Sequence, residues 1–119
     1  MSLLASLALS ACVREAPVDA RFRTVAQADA GRGPRLMAQY QCGSCHVVPG
    51  APAAATAIAV PLTRFGQRSY IAGRLPNGPA TLPLWLLDPP AQVPGTAMPR
   101  LGLSPQDARD IAAYLLSAE

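Results

Sequence analysis

The sequence predicts an all-α domain in which three to four short helices are joined by long, proline-rich loops. Thirteen prolines interrupt the 119-residue chain. No stretch alternates apolar and polar residues in the way that a half-buried strand does. Because 50% of the residues are hydrophobic and 14% are charged, the composition favours one globular domain over a disordered chain.

Three segments carry helix signals, in chain order. A leading helix is predicted over residues 34 to 41, and a middle helix near residues 82 to 87, where Pro83 must lie in the first turn. The C-terminal helix has the clearest start, since Ser104 suits the N-cap and Pro105 the first helical position. Its predicted apolar stripe follows helical spacing: Ala108, Ile111, Ala112 and Leu115.

The N-terminus resembles a targeting segment. Residues 1 to 11, MSLLASLALSA, form an apolar run too short to span a bilayer and similar to the core of a secretory signal. Residues 9 to 12, LSAC, resemble a bacterial lipobox, which ends in a lipid-carrying cysteine. We therefore predict a lipoprotein signal peptide over residues 1–11, a lipidated Cys12 with a flexible tether over residues 12–30, and a domain over residues 31–119. The alternative is an apolar N-terminal helix with a buried cysteine.

The charge pattern excludes some classes of function. All ten basic residues are arginines and the net charge is +3, but no basic run with interleaved aromatics indicates nucleic-acid binding. No glycine-rich phosphate loop is present, which argues against a P-loop or Rossmann enzyme. The mild positive charge fits an acidic protein partner or an anionic membrane surface. Four arginines are candidates for a docking face: Arg64, Arg68, Arg74 and Arg100.

The chemistry is concentrated in the sequence Cys42-Gly43-Ser44-Cys45-His46, which holds the only histidine. Cys-x-x-Cys-His is the attachment signature of c-type haem, in which two thiols form thioethers and the imidazole reaches the iron. A thioredoxin-like pair would need a βαβ context, and a zinc site would need further ligands that the chain lacks outside its leader. A disulfide between Cys42 and Cys45 would close a very tight ring.

The second axial ligand of such an iron has to be sought among the methionines, because no second histidine exists. Met1 lies in the leader, and Met37 lies in the leading helix, where core packing is the simpler interpretation. Met98 lies 52 positions after His46 in a loop rich in Pro and Gly. We predict that Met98 is the ligand, the alternative being a side chain that fills a gap in the loop. An iron with both axial positions filled favours electron transfer over catalysis.

The order of these segments resembles that of the small class I c-type cytochromes, from about residue 31 to residue 116. After the haem motif come Val60-Pro61-Leu62, then Trp85, Asp88-Pro89 and Met98-Pro99, and finally the terminal helix. The stretch from Trp85 to Met98 is similar to cytochrome c domains associated with haem-copper oxidases. The resemblance implies a cytochrome c fold, with short helices wrapped around one covalently attached haem c and its iron.

The resemblance also implies further haem-binding residues. Pro61 matches the proline whose carbonyl oxygen accepts the Nδ1–H of the proximal histidine, a bond that fixes the tautomer and orientation of the ring. Arg68, Tyr70 and Trp85 match positions beside the haem propionates, where an arginine stays charged and donates through a fork. The alternative for these three is an ordinary surface arginine and core aromatics.

The function that follows is that of a one-electron carrier with His/Met-ligated haem in a membrane-associated respiratory chain, with no catalytic residue. Its expected place is the periplasmic side of a bacterial membrane. Its expected partners are redox proteins, namely a terminal oxidase, a cytochrome complex or a dehydrogenase. The alternatives are a fixed haem c subunit of an oxidase or dehydrogenase complex, a haem-based sensor or peroxidase with a labile methionine, and a small lipoprotein without haem.

Overall fold

The computed structural model of the protein describes residues 19 to 51 and 57 to 118. The predicted signal peptide and Cys12 lie outside the described residues. Within them the fold is mostly helical, as predicted, with short 3-10 turns and one small ladder of two strands. The regular elements are helices α1 (Gly33–Gln39), α2 (Leu82–Leu87), α3 (Pro89–Gln92) and α4 (Pro105–Ser117), and strands β1 (Tyr70–Ile71) and β2 (Leu75–Pro76).

Helix α4 is the centre of the domain and starts where the sequence predicts. The Ser104 hydroxyl accepts a hydrogen bond from the backbone N–H of Asp107 at 3.1 Å, and Pro105 occupies the first helical position. The predicted apolar stripe is buried, together with Leu116. This stripe packs against α1 and α2, so the core is organised around one amphipathic helix.

Helix α1 crosses α4 at close range because a glycine lies at the contact. A Cβ added to Gly33 would come within 2.3 Å of the Cβ of Tyr114. Leu36 and Met37 are buried below the crossing, so Met37 is a core residue, as predicted. The helix ends at Gln39, two residues before the predicted end, because Gln41 adopts a left-handed backbone conformation with φ +56°.

Polar side chains also link the two ends of α1 to α4, and we call Arg32, Tyr40, Asp107 and Asp110 the Asp110 cluster. The fully buried Asp110 carboxylate accepts hydrogen bonds from the backbone N–H of Asp29 at 2.7 Å and from Arg32. Arg32 also pairs with Asp107 at 3.1 Å, and the Tyr40 hydroxyl donates to Asp107 at 2.8 Å. The cluster therefore ties three segments together through two carboxylates.

The cluster shifts the ionisation of its members in opposite directions. The hydrogen bond from Tyr40 lowers the pKa of Asp107, and the same bond raises the pKa of Tyr40. Burial acts to raise the pKa of Asp110, but hydrogen bonds from the Asp29 N–H, Gln106 and Arg32 outweigh it, so that the pKa lies below its usual value. Both carboxylates are thus stabilised in their charged form.

The segment before α1 is packed onto the domain rather than standing apart from it. Val25 is buried in the core, and the carbonyl oxygen of Gln27 accepts a hydrogen bond from the Gln106 side chain at 2.8 Å. Together with the Asp29 bond to Asp110, these contacts hold residues 25 to 30 against α4. Within the predicted tether, residues 25 to 30 thus bury an apolar side chain and satisfy backbone groups, and the boundary at residue 30 stays a prediction.

Strands β1 and β2 were not predicted. They pair antiparallel with Tyr70 opposite Pro76 and Ile71 opposite Leu75. Each strand has only two residues, which is too short for an alternating pattern to show in the sequence.

Helix α2 forms as predicted, with Pro83 in its first turn. It is followed at once by α3, which was not predicted and whose N-cap is Asp88; the carboxylate accepts from the backbone N–H of Ala91 at 3.2 Å. This helix has only four residues, two of them prolines, which is too short for a helical repeat of apolar residues to appear in the sequence. None of the helices in the described ranges combines the length and the apolar character needed to cross a membrane.

Candidate functional site

The Cys-x-x-Cys-His motif lies on a tight turn directly after α1. Cys42–Ser44 form a 3-10 turn, and the N–H of His46 donates to the carbonyl oxygen of Cys42 at 3.0 Å. Cys42 is half-buried against the core, whereas Cys45 is exposed, and no disulfide joins them. The turn thus presents two free thiols and an imidazole within five residues.

The state of the Cys42 thiol differs from that of a dithiol redox centre. Burial raises the pKa of Cys42, which keeps the thiol neutral at physiological pH. A thioredoxin-like cysteine needs a lowered pKa, because the thiolate is the attacking species. Cys42 therefore lacks the lowered pKa of an attacking thiol.

The imidazole of His46 is held by a backbone carbonyl. Its Nδ1 lies 2.6 Å from the carbonyl oxygen of Val60. A carbonyl only accepts, so Nδ1 carries a proton and donates it, and in the neutral ring the lone pair belongs to Nε2. A neutral imidazole of this tautomer can bind a metal ion through Nε2.

The acceptor is one residue away from the one that was predicted. The carbonyl of Pro61 instead accepts from the Arg68 guanidinium at 3.1 Å, so the hydrogen-bonding role expected of Pro61 falls to Val60. Backbone hydrogen bonds set this register. Ala59 N–H donates to the Cys45 carbonyl at 3.0 Å, and Leu62 N–H donates to the Val47 carbonyl at 2.8 Å.

Met98 lies in a loop that we call the Met98 loop, residues 93 to 103. The loop begins and ends at buried side chains, Val93 and Leu103. Met98 is half-buried and packs against the same apolar core as Cys42. Its backbone N–H donates to the Thr96 hydroxyl at 3.3 Å. The loop therefore places a thioether against the core that also carries the motif.

An ion pair joins this loop to α3. Arg100 donates to the second carboxylate oxygen of Asp88, the residue that caps α3. Arg100 was predicted to belong to a docking face, and in the structure its guanidinium is engaged within the chain. Of the other three arginines proposed for docking, Arg64 donates to Gln67 and Arg68 to Pro61.

The three residues expected near the propionates are placed differently from one another. Arg68 is exposed, with its guanidinium carbon 5.9 Å from the centroid of the Phe65 ring. Tyr70 is exposed on β1, and Trp85 is buried in α2. Among the described residues no hydrogen bond joins these three side chains, and their role toward a propionate stays a prediction.

Asn77 is a site-building residue that the sequence did not reveal. Its side-chain amide donates to the carbonyl oxygens of Phe65 and Arg68, both at 3.0 Å, and its own N–H donates to Ser69. Asn77 therefore brackets the segment that carries Arg68. Its Oδ1 is buried and has no hydrogen-bond partner among the residues that the structure describes. In the sequence, an asparagine before a glycine is typical of a turn. That pattern does not predict that its side chain is buried and donates to two distant carbonyl groups.

The donor set and its surroundings fit a haem c. Two free thiols and an imidazole with an available Nε2 stand on one turn, and a thioether packs on the same core. The segments that carry His46 and Met98 also expose large apolar side chains, Val60 and Leu101. A porphyrin would cover such groups. A cleft of about 480 Å³ beside the motif is lined by Gly43 and Ser44 but by neither His46 nor Met98, so it does not lie between these two side chains.

Comparison with known proteins assigns the family. The family model for cytochrome c matches residues 30–119. The chain is also 35% identical over 89 residues to cytochrome c oxidase subunit 2 of Alkalihalophilus pseudofirmus, a match that covers 74% of this chain and 25% of that protein. The chain thus corresponds to about a quarter of the length of this relative. No solved structure matches the chain.

The chain therefore belongs to the cytochrome c family. It binds covalently attached haem c with its iron, and its domain is that of an electron-transfer haem protein.

Proposed function

We propose that this protein is a one-electron carrier whose iron is held by His46 and Met98 and whose haem is anchored by Cys42 and Cys45. The observation that carries the proposal is the hydrogen bond from His46 Nδ1 to Val60, because it leaves Nε2 as the only ring nitrogen able to bind the iron. The proposed ligand is thus the residue next to the second proposed anchoring thiol.

The thioether of Met98 is the proposed second ligand. It is supported by its packing against the core that also holds Cys42, and by the burial of Met37, which removes the other methionine of the described domain. The haem supplies one-electron redox chemistry between ferric and ferrous iron. His46 and Met98 would both hold the iron, and His/Met ligation would raise its reduction potential relative to two nitrogen ligands.

The proposed setting is the periplasmic side of a bacterial membrane, in a respiratory chain. A lipid on Cys12 would hold the domain at the surface, and the net charge of +3 fits an acidic patch on a redox partner. Arg74 is exposed in the turn after β1 and suits such a docking face, with Arg64 and Arg68. Arg100 is less suited to docking because it already pairs with Asp88.

A second candidate is a fixed haem c subunit of an oxidase complex. It is favoured by the similarity to a protein named cytochrome c oxidase subunit 2, of which the chain matches one part. The two candidates differ in what is bound after gentle detergent extraction of membranes. A mobile carrier is recovered alone, whereas a fixed subunit is recovered with other subunits of the complex.

The proposal is tested with the full chain produced in a periplasm that has haem-attachment machinery. We expect covalent haem in the wild type, loss of covalent haem in the Cys42→Ala/Cys45→Ala variant, and a one-electron transition in spectroelectrochemistry. The ferrous protein should bind carbon monoxide weakly, since both axial positions are filled. Ready binding of carbon monoxide or peroxide by the wild type would contradict the carrier and favour the sensor or peroxidase alternative.

A further inference from the structure

We propose that the ion pair between Asp88 and Arg100 positions Met98. The pair connects the second limb of the Met98 loop, residues 99 to 102, to α3, and it thereby controls how easily the thioether is displaced from the iron. The inference rests on the proposed function, because it takes Met98 as the iron ligand. Neither residue touches the iron in this account, and both act through the loop.

The first limb of the Met98 loop, residues 93 to 98, is held by hydrogen bonds of its own backbone. Val93 N–H donates to the carbonyl of Pro89 at 2.9 Å, and Thr96 N–H donates to the carbonyl of Val93 at 3.1 Å. The Thr96 hydroxyl then accepts from Met98. A continuous series of hydrogen bonds therefore leads from α3 to the N–H of Met98.

The second limb has no such series. Pro99 has no N–H, and residues 99 to 102 donate no backbone hydrogen bond to the described part of the chain. Gly102 takes a φ of +75°, and the chain becomes buried again only at Leu103. The guanidinium of Arg100 is the polar group that connects this limb to the rest of the domain.

The carboxylate of Asp88 can hold Arg100 in place, because its two oxygens bind different groups. One oxygen caps α3 through the N–H of Ala91 at 3.2 Å, and the other pairs with Arg100. Helix α3 starts at the buried Pro89, so the carboxylate is fixed to the core. The ion pair thus ties the limb after Met98 to the same helix from which the limb before Met98 departs.

The effect should be modest, because the pair is only partly buried. The side chain of Asp88 is 25% exposed and that of Arg100 is 66% exposed. Ion pairs with this exposure contribute up to about 1 kcal/mol, which corresponds to about a two- to fivefold change in a ligand equilibrium.

The test measures the binding of added imidazole, which competes with Met98 for the ferric iron. The variants are Asp88→Asn, Arg100→Gln and the double variant in the full haem-loaded chain. Asparagine keeps the cap of α3, so the first substitution removes the charge and not the helix start. The two single substitutions change the net charge in opposite directions, and therefore a general charge effect would move imidazole binding in opposite directions.

We expect both single variants to bind imidazole about two- to fivefold more tightly than the wild type. The double variant should bind it no more tightly than either single variant, since the pair is lost once. Arg35→Gln changes an exposed arginine outside every ion pair of the described residues and should leave the affinity unchanged. Tyr40→Phe should lower the thermal midpoint through the Asp110 cluster and leave imidazole binding unchanged, which separates positioning from stability.

Wild-type affinity in both single variants, or additive effects in the double variant, would overturn this inference while leaving Met98 as the ligand. If Met98→Ala binds imidazole no more tightly than the wild type, Met98 is not the ligand, and the proposed ligation and this inference fail together.

Discussion

The Nδ1 of His46 lies 2.6 Å from the carbonyl oxygen of Val60, and this contact fixes the tautomer of the only histidine in the chain. The acceptor belongs to an X–Pro bond, because Pro61 follows. Proline restricts the preceding residue to extended conformations, so Pro61 orients the Val60 carbonyl without accepting the bond itself.

We therefore expect Pro61→Ala to loosen the His46 hydrogen bond. The greater freedom of the unfolded chain should lower the free energy of unfolding by about 0.5–1 kcal/mol. A weaker bond to Nδ1 makes the imidazole a poorer donor to ferric iron, so the reduction potential should rise. Chemical denaturation and spectroelectrochemistry check both effects. Pro76→Ala, at an exposed proline on β2, is the control, and equal potentials in the two variants would contradict the role given to Pro61.

Asp110 should be among the most important residues for stability, although it lies far in sequence from the haem motif. It is fully buried, and its removal leaves the Asp29 N–H without its acceptor and Arg32 paired with Asp107 alone. We expect Asp110→Ala to lower the free energy of unfolding by about 3 kcal/mol. Asp19→Ala removes an exposed ion pair with Arg21 and should cost less than about 1 kcal/mol. Similar losses of unfolding free energy in both variants would show that the buried Asp110 cluster contributes no more to stability than an exposed ion pair.

The same carboxylates predict how stability depends on acid. The pKa values of Asp107 and Asp110 are lowered in the folded protein, so the unfolded chain takes up protons first. Their stabilisation is fully present above the ordinary aspartate pKa of about 3.9 and is lost as the pH falls through the folded values. Unfolding free energies measured from about pH 7 to about pH 3 should decline steeply at the acid end in the wild type.

Asp107→Asn provides the comparison for this pH dependence. It should be less stable than the wild type near neutral pH and should lose less stability on acidification, because one of the two lowered pKa values is absent. Parallel curves for the two proteins would contradict the assignment of the acid sensitivity to this cluster.

The crossing of α1 and α4 should not tolerate a methyl group. Gly33→Ala would place a Cβ 2.3 Å from the Cβ of Tyr114, and we expect a loss of about 1–3 kcal/mol from the forced separation of the helices. Gly78→Ala is the matched control, since a Cβ there meets nothing within 4 Å. Thermal unfolding of the two variants decides the point, and an unchanged midpoint for Gly33→Ala would show that the crossing can relax.

Features carried by a few neighbouring residues could be predicted from the sequence. The start of α4 depends on Ser104 and Pro105, which act within one turn, and the helix forms where predicted. The Cys-x-x-Cys-His motif is likewise local, and its thiols and imidazole occupy one turn. The burial of Met37 followed from its position in a helix that packs on α4.

Features that depend on distant backbone contacts could not be predicted in this way. Whether Val60 or Pro61 faces His46 is decided by hydrogen bonds between residues 57–62 and 45–47, which no sequence pattern records. Asp110 looks like a surface residue in the sequence of α4 and becomes buried only because Arg32 and Asp29 reach it. The bracket formed by Asn77 and the packing of Val25 arise in the same way from tertiary contacts.

The decisive test of His46/Met98 ligation is the ferric absorption spectrum of the full haem-loaded chain beside that of Met98→Ala. We expect a methionine–iron charge-transfer band in the wild type, its loss in the variant, and a lower reduction potential in the variant. A wild-type spectrum without this band, or one that Met98→Ala leaves unchanged, would contradict His46/Met98 ligation.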